Sequence, residues 1–125
     1  IENMGGRFST SPLHIEPVLT VLKRRGLMYI SRRRNLDSLS REIAADIDLL
    51  SVGIDIEVDI DPSTREIDQR LSAAENRARR TGAAIAGARP YPATFEAVRA
   101  WMEELESRDA VLAPLTAVIA RLETG

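Results

Sequence analysis

Two segments of the chain end in almost the same way, and this repeat constrains the fold more than any other feature of the sequence. Arg24–Gly26 closes an amphipathic stretch and leads into the apolar run Leu27–Ile30, and Arg79–Gly82 leads into Ala83–Ala86 in the same manner. Cations are favoured at the carboxyl end of a helix, and glycine is common just beyond that end. The repeat therefore predicts a helix followed by a short buried strand, twice.

Apolar side chains recur at steps of three and four residues in several segments, which is the period of an amphipathic helix. The predicted helices are Pro12–Arg25, Asp37–Leu49, Asp61–Thr81, Thr94–Ser107 and Pro114–Leu122. The predicted inward faces carry Ile15, Val18, Leu19 and Leu22, then Leu39, Ile43 and Ile47, then Ile67, Leu71, Ala74 and Ala78, and finally Phe95, Val98, Met102 and Leu105.

Short apolar runs between these helices predict the strands Leu27–Ile30, Gly53–Ile60, Ala83–Ala86 and Val111–Leu112. Gly53–Ile60 alternates strictly, which predicts a half-buried strand with its isoleucines inward and Asp55, Glu57 and Asp59 facing solvent. Strands that alternate with helices predict an α/β fold with parallel strands and right-handed crossovers. Strands so few and short do not close a barrel alone, so they form either a small open sheet or part of a larger barrel.

The residue types that are missing exclude several classes of site. The chain has no cysteine and one histidine, His14, which excludes disulfides, thiolate zinc clusters, cysteine nucleophiles and a multi-histidine metal cage. A serine triad would have to use His14, and no Gly-x-Ser-x-Gly elbow is present. We interpret His14, in the first turn of the first helix, as a surface or helix-packing residue. No apolar run is long enough to predict a membrane span.

The basic residues are almost all arginine, with Lys23 as the exception. One interpretation is a surface for phosphate or carboxylate ligands, and the other is a coding bias that favours arginine over lysine. The net charge of −2 shows that acidic residues balance the arginines, which argues against nucleic-acid binding.

Five stretches, taken in order, carry a resemblance to a known family. They are Asn3–Phe8, Val18–Ile30, Asp61–Pro62, Ala84–Ala86 with Arg89–Pro92, and Leu112–Leu115. Together they resemble the divergent polysaccharide deacetylases, a branch of the NodB-like carbohydrate esterases. The resemblance implies the C-terminal half of a distorted (β/α)7 NodB-like barrel. We therefore expect residues 1–125 to form a single domain that is a fragment of a larger barrel.

The resemblance also implies partners. Because the family's N-terminal half, with its first strand and metal-binding aspartates, is absent from this sequence, we expect strand edges and apolar helix faces to need that half or self-association. The family further implies a divalent metal such as zinc, which activates water for hydrolysis. It places a metal-binding histidine where this chain has Asn3, a second where it has Arg89, and an acidic residue where it has Ser31. Asparagine is a weaker ligand than imidazole and a guanidinium repels a cation, so we expect no resident metal and no catalytic residue.

The same comparison predicts a substrate-binding set of Asn3, Arg7, Arg33, Asp55, Arg89 and Tyr91. In this interpretation Arg89 binds a carboxylate, Asn3 hydrogen-bonds a hydroxyl, and Tyr91 stacks on a sugar ring. The alternative is a decayed site, in which Tyr91 packs its own loop onto the barrel.

Arg33 and Asp55 have alternatives of their own. The run Arg32–Arg34 either contacts an acidic ligand or forms a solvated loop that pairs with Asp55, Glu57 and Asp59. Those three acids either hold a cation or form a solvated face, and their spacing of about 7 Å along a strand is too wide for one ion without other ligands.

The resemblance, together with these replacements, implies a bacterial, deacetylase-like pseudoenzyme of carbohydrate metabolism that binds glycan or peptidoglycan at the cell envelope, in the periplasm or otherwise outside the cytoplasm. One alternative is an active glycan N- or O-deacetylase, a hydrolase completed by the missing half and by Asp55 or Asp59. The other is a non-catalytic domain that binds an envelope protein.

Overall fold

Helices and very short strands alternate along the residues that the computed structural model describes, which are 10–32 and 38–124. The helices are α1 (Pro12–Arg24), α2 (Ser38–Asp46), α3 (Thr64–Thr81), α4 (Pro92–Leu105) and α5 (Leu115–Thr124), with a 3-10 turn at Glu106–Arg108 after α4. The strands are β1 (Tyr29–Ser31), β2 (Ser51–Gly53), β3 (Ile56–Glu57) and β4 (Ala86–Gly87). The α/β class and the parallel strands are therefore confirmed, whereas the half-barrel stays a prediction. None of these helices has the length and apolar character needed to cross a membrane.

The chain divides into two compact units, and the first is Ile1–Ile54. In it β1 pairs with β2 in parallel, with Tyr29 opposite Ser51 and Ser31 opposite Gly53. The buried core consists of Ile15, Leu19, Leu22, Tyr29, Ala44 and Leu49. This core confirms the predicted inward positions of α1 except Val18, which is 36% exposed.

The second unit is Asp55–Gly125, and it contains the pair of strands that positions the candidate site. β3 pairs with β4 in parallel, with Ile56 opposite Ala86 and Glu57 opposite Gly87, and α3 makes the crossover. The buried core consists of Val58, Ile67, Leu71 and Ala97, with Ala93, Val98 and Trp101 packed against it.

The predicted glycine stops of α1 and α3 are confirmed. Gly26 and Gly82 both have positive φ, at 67° and 87°, and the Gly82 N–H donates to the Ala78 carbonyl. Because an L side chain is strained at such φ values, glycine suits both helix ends. Helix α2 ends before the predicted Leu49, since Asp48 takes φ 55° and the Leu49 N–H folds back to the Ala44 carbonyl.

The predicted alternating strand Gly53–Ile60 is wrong. The segment forms two strands with a break between them, Asp59 is only 2% exposed, and Ile60 is 59% exposed. The reason is that Asp55 and Asp59 both accept backbone N–H groups from the segment of β4, which offsets the cost of burying their carboxylates.

Two further predictions are wrong, namely the strand Val111–Leu112 and the inward positions of Phe95 and Met102. Val111 and Leu112 are 78% and 56% exposed and lie in no strand. Phe95 and Met102 are 64% and 45% exposed, because α4 turns Thr94 and Ala97 inward instead, whereas the predicted inward position of Leu105 is confirmed.

Candidate functional site

Asp59 and Arg89 lie at the same edge of the β3–β4 pair. Each follows its strand by two residues, and the carboxyl ends of parallel strands meet at one edge. In open α/β sheets that edge is the usual place for a ligand. The Asp59 Oδ2 atom accepts the backbone N–H of Arg89 at 2.7 Å and the hydroxyl of Thr94 at 2.9 Å.

Thr94 connects this edge to helix α4. It lies in the first turn, after Pro92, whose fixed φ suits the start of a helix. Its side chain is buried, and its hydroxyl donates to Asp59. One buried carboxylate therefore holds the end of β3, the segment after β4 and the start of α4 in one arrangement.

The side chains of Arg89 and Tyr91 are the exposed part of this edge. The Arg89 Nη1 atom lies 3.5 Å from the Asp59 backbone carbonyl, so the guanidinium lies beside the end of β3. Tyr91 has extended backbone angles, donates its N–H to the Arg89 carbonyl and is 44% exposed. We name Asp59, Arg89, Tyr91 and Thr94 the strand-end site.

Asp55 lies at the opposite end of β3. Its carboxylate is 3% exposed, accepts the Ile85 N–H at 2.9 Å through Oδ2, and lies 3.0 Å from the Arg77 Nη2 atom through Oδ1. Four residues of extended chain, about 13 Å, separate it from Asp59. The structure therefore does not bring Asp55 together with Arg89 and Tyr91.

Of the other predicted site residues, Asn3, Arg7 and Arg33 lie outside the described residues. Asp59 and Thr94 are missing from the predicted binding set, although Asp59 accepts the backbone N–H of Arg89 and Thr94 donates to the same carboxylate. No sequence signal marks Asp59, because the alternating pattern puts it inside a predicted strand. Only the structure shows that it follows β3 by as many residues as Arg89 follows β4. His14 is exposed on α1, as interpreted from the sequence.

The described side chains of the strand-end site are not suitable ligands for a divalent cation. The Asp59 carboxylate already accepts two hydrogen bonds through Oδ2. Its neighbour Arg89 offers no lone pair and carries a fixed positive charge close to any ion bound there. The exposed guanidinium suits a ligand that has carboxylate or hydroxyl groups.

A separate cavity of about 700 Å³ lies in the second unit. Most of its lining is apolar, including Leu71, Ile85, Trp101 and Leu112, and Asp59, Arg89 and Tyr91 are not among its lining residues. Its charged lining residues are Glu75, Arg79, Asp109 and Arg121.

Glu75 is 6% exposed and is paired on both sides. Its Oε1 atom lies 2.9 Å from Arg79 Nη2, and its Oε2 atom lies 3.2 Å from Arg108 Nη1. The Arg79 hydrogen bond, with help from the Arg108 charge, holds the pKa of Glu75 below its ordinary value of 4.5, although burial opposes this. These guanidinium groups already hold a carboxylate of the protein, so we take the strand-end site as the candidate functional site.

Comparisons with known proteins give the family and a similar fold. A model of the family described as divergent polysaccharide deacetylase matches residues 1–119. Among solved structures, an uncharacterized protein from Agrobacterium tumefaciens C58 is similar, with a TM-score of 0.86 and 29% sequence identity. The similarity covers 92% of this chain and 47% of that protein, so the chain spans about half its length. A comparison with curated proteins gave no match.

Proposed function

The chain belongs to the divergent polysaccharide deacetylase family, which makes it a deacetylase-like domain of carbohydrate processing, and we propose that its strand-end site binds a glycan without deacetylating it. The observation that carries the proposal is the place of Arg89. Its backbone is fixed by Asp59, and its guanidinium lies at the edge where ligands of α/β folds bind.

The chemistry of these side chains supports a sugar with an acidic substituent. A guanidinium binds a carboxylate through two parallel hydrogen bonds, which a hydroxyl cannot reproduce. Tyr91, two residues further on, offers an aromatic face to the apolar side of a sugar ring. We propose Arg89 as the anion-binding residue and Tyr91 as the stacking residue, with Asp55 in a supporting role at the opposite end of β3. Asn3, Arg7 and Arg33 stay predicted ligand-binding residues.

The side chains of the strand-end site support glycan binding without hydrolysis. A metal bound in such a site would supply an activated water for deacetylation. Arg89 stands where the family resemblance places a metal-binding histidine, and its charge disfavours a cation beside Asp59. In this proposal the cell-envelope glycan, peptidoglycan included, is the partner, the domain acts outside the cytoplasm, and the rest of a larger barrel completes the sheet.

The test uses the full-length protein and two probes. They are an N-acetylglucosamine tetramer and the disaccharide of N-acetylglucosamine and N-acetylmuramic acid, which carries a carboxylate. We expect Arg89→Ala to lower the affinity for the acidic disaccharide about tenfold or more, as the loss of a charged hydrogen bond predicts. The same substitution should lower the affinity for the tetramer less. Isothermal titration calorimetry measures both affinities, and Arg99→Ala, at an exposed arginine on α4, is the matched control.

A second measurement tests the absence of hydrolysis. Metal analysis of the same protein should find no stoichiometric divalent metal, and an acetate-release assay on the tetramer should give no product. Bound metal together with acetate release would show an active deacetylase and overturn this part of the proposal. No binding of either probe would overturn the glycan site and favour a protein-binding domain.

A further inference from the structure

The carboxylate of Asp59 uses only one of its two oxygen atoms within the described part of the chain. Oδ2 accepts the Arg89 N–H at 2.7 Å and the Thr94 hydroxyl at 2.9 Å. The described residues give Oδ1 no hydrogen bond or ion pair, and Oδ1 is not among the polar atoms that are fully enclosed without a partner. Oδ1 therefore reaches the small surface, 2% of the residue, that Asp59 keeps exposed. An ionised carboxylate has about four acceptor positions, so this oxygen can accept a donor from outside the chain.

The Arg89 guanidinium also has no acidic partner among the described residues. Its contact with Asp59 is to the backbone carbonyl, 3.5 Å from Nη1, and not to the carboxylate. An arginine beside an aspartate commonly forms a paired, bidentate contact. Here the Asp59 carboxylate binds the main chain of Arg89 instead, and the two side chains stay separate. The site therefore presents a cationic donor and an anionic acceptor next to each other, both open to a ligand.

We propose that the strand-end site binds a hydroxy acid, with the ligand carboxylate at the Arg89 guanidinium and a hydroxyl group of the ligand donating to Asp59 Oδ1. The inference rests on the proposed function, in which Arg89 binds an anion, and adds Asp59 as a second ligand-contacting residue. Because Nη1 lies beside the main chain of Asp59, the two ligand groups must be close together on the ligand. A uronic acid unit of a glycan and a small free hydroxy acid share this chemistry.

In this arrangement Asp59 determines specificity. An acid without a hydroxyl group brings its negative charge close to the Asp59 carboxylate and gives Oδ1 no donor, so repulsion weakens its binding. A neutral hydroxyl compound lacks the charge that Arg89 binds. An ammonium group could donate to Oδ1, but it would add a second positive charge beside the fixed charge of Arg89. The two side chains together therefore favour a ligand with one carboxylate and one hydroxyl donor.

The first test compares matched ligands on the unaltered full-length protein by NMR titration. Lactate and glucuronate have both groups, whereas propionate and cyclohexanecarboxylate are their counterparts without a hydroxyl group. We expect the hydroxy acid of each pair to bind about tenfold more tightly, as a hydrogen bond to a charged group predicts. A preference within the lactate pair alone supports a small free acid as the ligand, and one within the glucuronate pair alone supports a uronic acid unit.

The second test is Asp59→Asn, which changes Oδ1 and keeps the anchor of position 89. A backbone N–H can only donate, so the amide oxygen of the variant faces the Arg89 N–H and the NH2 group replaces Oδ1. The NH2 group can donate to either kind of acid, and we expect the preference for the hydroxy acid to fall about threefold or more. Asp68→Asn, at an exposed aspartate of α3, is the matched control and should keep the preference.

The outcomes separate this inference from the proposed function. Equal affinities within both ligand pairs, or an unchanged preference in a folded Asp59→Asn variant, overturn the role of Asp59 and leave Arg89 as the anion-binding residue. Tighter binding of alanine than of lactate overturns the hydroxyl group as the donor. Binding of the N-acetylmuramic acid disaccharide without binding of any hydroxy acid overturns this inference alone. If neither the disaccharide nor any acid binds, the proposed function is overturned as well.

Discussion

Asp59 accepts the backbone N–H of Arg89, which lies thirty positions later in the chain, at 2.7 Å. The same separation recurs at the other end of β3, where Asp55 accepts the backbone N–H of Ile85 at 2.9 Å. The two carboxylates therefore fix the parallel register of β3 and β4 from both ends. Strands this short have few ladder hydrogen bonds of their own, so side-chain acceptors replace part of the missing ladder.

Removing the Asp59 carboxylate should destabilise the second unit. Asp59→Ala leaves the Arg89 N–H and the Thr94 hydroxyl without their acceptor, and we expect a loss of about 2–3 kcal/mol in the free energy of unfolding. Asp59→Asn should cost less, because its amide oxygen still accepts. Urea unfolding measures the change, and Asp68→Ala, at an exposed aspartate of α3, is the control. Equal midpoints for Asp59→Ala and Asp68→Ala would contradict the anchoring role.

Breaking the Asp55–Arg77 pair should be costly because Asp55 is buried and Arg77 is only a third exposed. Arg77→Met leaves the buried Asp55 charge with less compensation, and we expect the free energy of unfolding to fall by about 1–3 kcal/mol. This is less than for a fully buried pair, because Arg77 is partly exposed. Arg99→Met, at the exposed pair with Glu103, should change stability by less than about 0.5 kcal/mol. A double-mutant cycle with Asp55→Asn measures the coupling, and a coupling near zero would refute the pairing.

The stability of the chain should fall in acid through Glu75. Since its pKa in the folded state lies below the ordinary 4.5, its stabilisation is fully present above about pH 4.5 and is lost as the pH falls through the folded value. Glu75→Gln removes this contribution, so the variant should lose less stability than the wild type between pH 6 and pH 3. Urea unfolding at both pH values is the measurement, with Glu103→Gln as the exposed control. A parallel loss in Glu75→Gln and wild type would contradict the assignment.

The carboxyl end of α3 should depend on a left-handed residue. Gly82 has φ 87°, and a Cβ at this position would meet the Arg121 Nε atom at 3.6 Å, an ordinary contact. The cost of Gly82→Ala therefore comes from the backbone, and we expect about 1 kcal/mol. Gly82→Asn should be milder, because asparagine tolerates this conformation. Thermal unfolding of the two variants distinguishes backbone strain from a clash, which would make asparagine, the larger residue, the more harmful.

The local sequence predicts the helices well and the surroundings of β3 poorly. The period of the apolar residues and the glycine stops of α1 and α3 depend on neighbours within one or two turns, so the local pattern contains them. The burial of Asp59 depends on donors that lie thirty and thirty-five positions away, and an alternating pattern contains no information on them. For the same reason the alternation placed Asp59 in solvent.

The residues of the candidate site are likewise only partly predictable from the sequence. Arg89 and Tyr91 can be selected from the sequence, because a proline on each side of Tyr91 and the family resemblance single out their segment. Thr94 has no such signal, since a threonine in the first turn of a helix has many uses. The outward turn of Phe95 follows from Thr94 and was missed with it.

Asp59 holds position 89 by the main chain, and this has a consequence for how the site can change. Every amino acid except proline presents the same N–H group, so the anchor does not depend on which side chain stands there. An imidazole or a guanidinium would be positioned by the same carboxylate at the same edge of the sheet. The side chain at position 89 can therefore change while this main-chain hydrogen bond is kept. A single substitution there can change the ligand specificity of the site.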